Sequence, residues 1–376
     1  MRIAVLAHIR HAIAEPFSGG MEAHCAMLCK ALRAAGHEVT LFAAAGSRDP
    51  GLFPICDAPY DEVLPWKVWR GTPELAAYQR EAFERALAEV RRGGYDVVHN
   101  NSLFPDIIGW CADEARPCVT SHHVPPFENL LDAVCDNAGR PGIAFTIVSH
   151  QQQLSWSQRG GPQMHIVRNG VDTAFWSPGG DGTGEHFTWI GRIVPNKGVA
   201  HAVRAAREAG AELRMFGPVE DETYFAREVA PHLGDKISYR GHAPAGVLRD
   251  EVRTARGALV TPMWDEPFGL VAAEALACGT PVVGFDRGAL QEVVGECGIL
   301  VPGGDIEALA GAMDRAALTD RDACRRRAVA QLSSEAMIRG YEACYAAVIA
   351  GARGEAGAMP ASPSSCASTS ALLAKG

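Results

Sequence analysis

Along most of the chain, short apolar runs alternate with longer stretches in which apolar positions recur every three or four residues. The first pattern predicts strands buried on both faces of a parallel sheet, the second amphipathic helices lying on it. Residues 2–7 carry the near-continuous run Ile3-Ala4-Val5-Leu6-Ala7 and form a first strand. A polar segment follows from His8 and ends in Ser18-Gly19-Gly20. A helix is predicted over 21–35, stopped by Gly36, and a second strand over 39–43. Strand, glycine-rich loop, helix and strand make a Rossmann-like opening. Its glycines lack the Gly-x-Gly-x-x-Gly spacing, so no nicotinamide or flavin cofactor is implied. Gly19 and Gly20 let backbone approach a phosphate or an acceptor closely.

The alternation continues with strands over 95–99, 117–121, 144–149 and 165–168, and helices over 73–92 and 103–114. Residues 51–72 read as irregular; Trp66 and Trp69 there suit packing better than sugar stacking. Helix 73–92 has mixed charge, unlike the basic apolar helices that bind anionic lipid. A glycine-rich linker, Phe175 to Gly184, precedes a second alternating series. That series has strands over 186–190, 212–216, 236–240, 257–261 and 281–285, helices over 199–209, 222–232 and 245–255, and shorter pieces to Val301. Helices over 305–317, 320–331 and 334–349 end the ordered chain, and the Ala-, Ser- and Pro-rich stretch 353–376 is expected to be disordered. The division expected is a first α/β domain over 1–178, a second over 185–333, a terminal helix over 334–352 and a tail. A chain of 376 residues is too long for one compact core and suits two.

A net charge of −9 argues against nucleic acid as a partner, which would need a basic surface. The first apolar run is too short for a signal peptide or a membrane span, and no later one is long enough, so stable membrane insertion is not expected. The eleven cysteines are scattered, never Cys-x-x-Cys, and read as reduced core residues of a cytoplasmic protein.

Candidate chemistry concentrates between Gly191 and Val283. Arg192 and Lys197 follow a predicted strand, and Glu266 and Glu274 stand eight positions apart around a predicted helix. Cations suit a diphosphate and carboxylates suit paired sugar hydroxyls, so the combination fits a nucleotide sugar. Pro267 fits the first helical position, with Phe268 to Leu276 continuing the helix. Eight helical residues rise about 12 Å, near the span between the two sugars of such a ligand, and the helix N-terminus between them suits its phosphates.

The features Gly191-Arg192 with Lys197, the Glu266–Glu274 spacing, Pro267-Phe268-Gly269 and Ala277-Cys278-Gly279-Thr280-Pro281-Val282-Val283 resemble the retaining glycosyltransferases of family 4, as do Gly19-Gly20-Met21-Glu22 and Asn169-Gly170-Val171-Asp172. The resemblance covers residues 1 to about 350. It implies the GT-B fold: two Rossmann-like domains facing across a cleft, with the last helix crossing back to the first. It implies a donor site of Gly19, Gly20, Arg192, Lys197, Pro267, Phe268, Gly269, Leu270 and Glu274, with Glu274 on the ribose and Glu266 on the transferred sugar. It also places a histidine after strand 117–121 beside the reacting centre; His122 is the position matched and His123 its rival. Arg192, Lys197, Glu266 and His122 are then the catalytic set. No metal and no cofactor are expected. A UDP-hexose is favoured as donor and GDP-mannose is second, with a hydroxyl-bearing acceptor, small and soluble or from the envelope. Other GT-B enzymes, such as a nucleotide-sugar epimerase, and a non-catalytic nucleotide-sugar-binding protein stay open at this point.

Overall fold

A computed structural model describes residues 1–179 and 184–355. The expected tail lies outside them from residue 356 on, as does the linker segment 180–183.

Seven strands form the first sheet: β1 (Arg2–Ala7), β2 (Glu38–Ala44), β3 (Leu52–Cys56), β4 (Val97–Asn101), β5 (Cys118–His122), β6 (Ile143–Ile147) and β7 (His165–Ile166). They are all parallel, in the order β3-β2-β1-β4-β5-β6-β7. Six strands form the second: β8 (His186–Ile190), β9 (Glu212–Phe216), β10 (Ile237–Tyr239), β11 (Gly257–Val260), β12 (Val282–Phe285) and β13 (Gly298–Val301). Their order is β10-β9-β8-β11-β12-β13, also parallel. Each order reverses once, between β1 and β4 and between β8 and β11. Parallel sheets bind ligands outside the carboxyl ends of their strands at such a reversal.

The apolar runs follow from two-sided burial. Ile3, Val5 and Ala7 face Leu28 and Leu32 of the helix Gly20–Ala34, whereas Ala4 and Leu6 face Phe83 and Leu87 of the helix Pro73–Gly93. The last helix, Ser334–Ala352, crosses back as the resemblance implied. Met337, Tyr341, Tyr345 and Val348 pack into the first domain's core beside Ile3 and Val97. Its start is pinned to the first domain by the Ser334 amide donating to the Val171 carbonyl at 2.9 Å.

Residues 51–72 are more ordered than their sequence suggests: they hold β3 and the single turns Tyr60–Val63 and Trp66–Trp69. Pro54 disguises β3, but β3 is an edge strand, where proline costs no internal ladder bond. The helices Glu128–Asn137 and His150–Ser157 were not anticipated. The first carries Leu130 and Val134 four positions apart but is rich in Asp and Asn, which weaken its helical signal; the second is capped by Ser149 but is mostly Gln and Ser with no clear apolar stripe.

Candidate active site

A cleft of about 1060 Å³ opens along the carboxyl edges of the two sheets. That is just above the usual range for small-molecule sites, about 300–1,000 Å³. His8, Arg10, Gly19, Gly20 and Trp66 line it from the first domain, and Arg192, Lys197, Glu266, Pro267, Phe268, Gly269, Leu270 and Glu274 from the second. Of the residues expected at the site, His122 alone does not line it.

Arg192 follows the end of β8. Its Nη1 donates to Glu220 Oε2 at 2.5 Å, and the other oxygen of Glu220 accepts from Arg10 Nη2 of the first domain at 3.3 Å. Lys197 closes a short turn, Pro195–Lys197, before Gly198. Gly198 has φ 69°, and a Cβ there would meet the Thr261 carbonyl oxygen at 1.9 Å, so β11 and the Lys197 turn approach only because this residue is glycine. Lys197 Nζ donates to Glu266 Oε2 at 2.7 Å, Trp264 Nε1 donates to the same oxygen at 3.1 Å, and the ammonium sits 5.1 Å from the Trp264 ring centroid. The two cations therefore lie in one cleft, each held by a carboxylate.

The helix carrying Glu274 runs Leu270–Ala277, three residues later than Pro267 would have started it. Gly269 sits in the left-handed region at φ 91°, and a Cβ there would also meet Leu290 Cδ2 at 2.7 Å. The chain turns at Gly269, so Glu266-Pro267-Phe268 is a loop at the helix mouth. The eight-residue rise reckoned from Glu266 to Glu274 thus does not apply as such, though both side chains reach the cleft. The Glu274 carboxyl has no side-chain hydrogen-bond or ion-pair partner among the described residues, and burial pushes it up to about 8. The amides of Leu270 and Val271 lie in the helix's first turn, where backbone donors are left over. Gly20 approaches from the opposite wall: a Cβ on it would lie 3.4 Å from Leu270 Cδ1.

The histidine assignment is corrected. Side chains alternate along β5, and His122, its last residue, points into the core. It is 1% exposed, with its ring 4.4 Å from Trp156 and 6.0 Å from Phe145, and burial followed by the neighbouring His123 pushes it down to about 3. His123 turns the other way and lines the cleft. Its Nε2 lies 2.8 Å from Asn101 Oδ1, and its ring lies 4.3 Å from that of His24, tilted by 50°. An amide oxygen only accepts, so Nε2 carries the hydrogen and Nδ1 is left as an acceptor. Burial pushes His123 down to about 4, which makes that imidazole neutral at ordinary pH.

The sequence reading missed several cleft groups. Glu22, 4% exposed, lies 3.8 Å from His8; burial raises its carboxyl, but His8 and the local backbone bring it below the ordinary range. Its place two residues after Gly20 was the available signal. Trp264, two residues before Glu266, carried none. Trp66 lines the cleft between Arg10 and Arg70, at 5.8 and 5.5 Å, whereas Trp69 does not line it. Among the described residues no group of three or more His, Cys, Asp or Glu side chains is disposed to hold a metal ion, and no helix is long and apolar enough to cross a membrane.

Two family models match the chain: Glycosyltransferase Family 4 over residues 18–175 and Glycosyl transferases group 1 over 184–318. A D-inositol 3-phosphate glycosyltransferase of Thermomonospora curvata is 26% identical, over 87% of this chain and 88% of its own. Among solved structures, AviGT4, a glycosyltransferase involved in avilamycin A biosynthesis, superposes with a TM-score of 0.70 at 24% identity, covering 93% of this chain and 98% of its own. Anabaena HepE in complex with UDP-glucose does so with a TM-score of 0.66 at 18% identity, covering 91% and 98%. Two parallel-sheet domains, a cleft along their carboxyl edges, a crossing terminal helix and both family matches agree: the chain has the GT-B fold and belongs to the family 4 glycosyltransferases.

Proposed function

We propose that the enzyme transfers a hexosyl group, with retention of anomeric configuration, from a nucleotide sugar to an acceptor hydroxyl. UDP-hexose is the favoured donor and GDP-mannose the second. The carrying observation is the convergence in one cleft of Arg192, Lys197 and the unpartnered Glu274 carboxyl. A diphosphate entering the cleft takes over Arg192 from Glu220 and Lys197 from Glu266. Both cations then neutralise the charge that grows as the diphosphate leaves, which stabilises the transition state. Glu274 accepts from the ribose hydroxyls, and that contact gives its carboxylate the partners it lacks in the protein. Glu266, released by Lys197, faces the transferred sugar at the helix mouth. His123 takes the part first given to His122: its neutral Nδ1 accepts a hydrogen bond from the sugar or the acceptor.

The bond from the anomeric carbon to the phosphate oxygen breaks, the bond to the acceptor oxygen forms on the same face, and the acceptor proton passes to the leaving phosphate. The UDP-glucose bound by HepE supports the donor class, and the inositol phosphate relatives support a small polyol acceptor. The test is a thermal-shift panel of nucleotides and nucleotide sugars followed by mass spectrometry with candidate acceptors, since a ligand of the native state raises the melting temperature. A donor that stabilises the protein and yields a product heavier by one hexosyl unit supports the reading. Donor turnover with no acceptor product and a changed sugar would indicate an epimerase instead.

A further inference from the structure

The helix His150–Ser157 follows β6 in the first domain, yet its N-terminus is completed by the second. Glu292 Oε2 accepts from the His150 amide at 3.0 Å and Oε1 from the Gln151 amide at 2.7 Å, with His150 Nδ1 3.1 Å from Oε2. These amides are among those a helix leaves without internal partners, and a carboxylate is favoured there. Ser149, which caps the helix by accepting from the Gln152 amide at 3.0 Å, donates its hydroxyl to the Pro267 carbonyl at 2.7 Å. The start of this helix is thus seated between the donor loop and Glu292.

The same first turn aims the cleft histidine. Gln152 Nε2 donates to the carbonyls of His122 at 3.0 Å and Val124 at 3.1 Å, which flank His123, while its Oε1 accepts from the Val148 amide at 2.9 Å. Arg327 fixes the far end by donating to the Glu292 and Val293 carbonyls. Glu292, Ser149 and Gln152 do not themselves line the cleft.

We propose that Glu292 is a positioning residue: by completing the helix His150–Ser157 when the domains are closed, it sets, through Gln152, the placement of His123 over the donor. This rests on the reading that His123 faces the reacting sugar. Domain closure is thereby tied to the geometry of the reacting centre, and a second-domain residue with no ligand contact controls a first-domain one.

The test uses Glu292→Leu, Gln152→Met and the double variant in the full chain. UDP binding, made by second-domain side chains, stays at the wild-type value in all three. Turnover at saturating donor falls, by about ten- to a hundredfold for a displacement near 1 Å, with donor KM little changed. The double variant is no slower than the worse single one, because both act on one path. In a His123→Ala background Glu292→Leu has no further effect. A merely structural role would instead lower the melting temperature and reduce binding and turnover together. Additive losses, or unchanged turnover in a folded Glu292→Leu protein, overturn the proposal. Full turnover in His123→Ala would instead defeat the role given to His123. Histidine ring NMR of the ligand-free protein supplies a readout that needs no substrate: the His123 signals shift in both single variants, and unshifted signals refute the coupling even if no donor is turned over.

Discussion

Lys197 Nζ lies 2.7 Å from Glu266 Oε2, an oxygen that also accepts from Trp264 Nε1 at 3.1 Å. The cation proposed for the diphosphate and the carboxylate proposed for the transferred sugar are therefore paired with each other in this structure, and neither stands as a bare charge. One consequence is that Lys197→Ala also frees Glu266, so its effect includes a loose carboxylate.

Arg192→Ala and Lys197→Ala should each lower turnover about 10²–10³-fold, the usual cost of about 3–4 kcal/mol for a lost transition-state donor. Both side chains are half-buried at a cleft wall, so circular dichroism and melting temperature should stay near wild type. Wild-type turnover in a folded Arg192→Ala protein would sink the diphosphate assignment.

The two carboxylates should separate by ligand. Glu274→Ala should weaken UDP and donor alike by about 1.5–3 kcal/mol, whereas Glu266→Ala should leave UDP binding nearly unchanged and slow turnover. Calorimetry with UDP decides this; loss of UDP binding in Glu266→Ala with none in Glu274→Ala would reverse the orientation.

Glu274 also supplies a pH signature. Burial pushes its carboxyl up to about 8, and on the proposed reading ribose hydroxyls donating to it favour the ionised form. UDP binding at neutral pH should therefore expel a proton, and affinity should rise with pH until about 8. A folded value above the unfolded one also means that the buried carboxyl subtracts stability as pH rises through that window, from 4.5 towards about 8. Glu274→Gln should abolish both slopes. Calorimetry in buffers of different ionisation enthalpy measures the proton, and an identical proton count in wild type and Glu274→Gln would refute the assignment.

Much of this was legible beforehand because it depends on local pattern. Two-sided burial makes β1 a continuous apolar run, so the sheets could be read directly. The spacing of Arg192, Lys197, Glu266 and Glu274 pointed to one ligand, and the fold does gather them in one cleft. What escaped depends on single-residue register or on distant partners. His122 and His123 differ by one step of the β5 pleat, and no pattern tells which step faces the cleft. The start of the helix Leu270–Ala277 depends on a left-handed Gly269, which Pro267 concealed. The helix His150–Ser157 has a local start signal in Ser149, which caps the Gln152 amide, but no apolar stripe follows it, and Glu292, which takes its first two amides, is distant in sequence.

His123, held near 4 by burial, should stay neutral through the range where an ordinary histidine titrates. Lowering pH protonates it only near 4, so the wild-type rate profile should show no histidine step near 6.5. His123→Ala should slow turnover strongly, and His122→Ala should act through lost core packing against Trp156 instead. A step near 6.5 that disappears in His123→Ala would contradict the neutral assignment.

If Arg192 and Lys197 neutralise the diphosphate as proposed, that charge needs no divalent ion, so turnover should survive a chelator. Loss of activity in chelator, with recovery on adding a divalent ion, would count against Arg192 and Lys197 as the charge-stabilising pair.

The central claim is transfer with retention from a nucleotide sugar held in this cleft. Proton NMR of the complete reaction tests it most directly, following the α-linked donor, the released nucleoside diphosphate and the anomeric signal of the product together. The account predicts one nucleoside diphosphate released per α-linked product, with both signals growing about 10²–10³-fold more slowly in Arg192→Ala. A β-linked product, or product formed at the wild-type rate by Arg192→Ala, would contradict it.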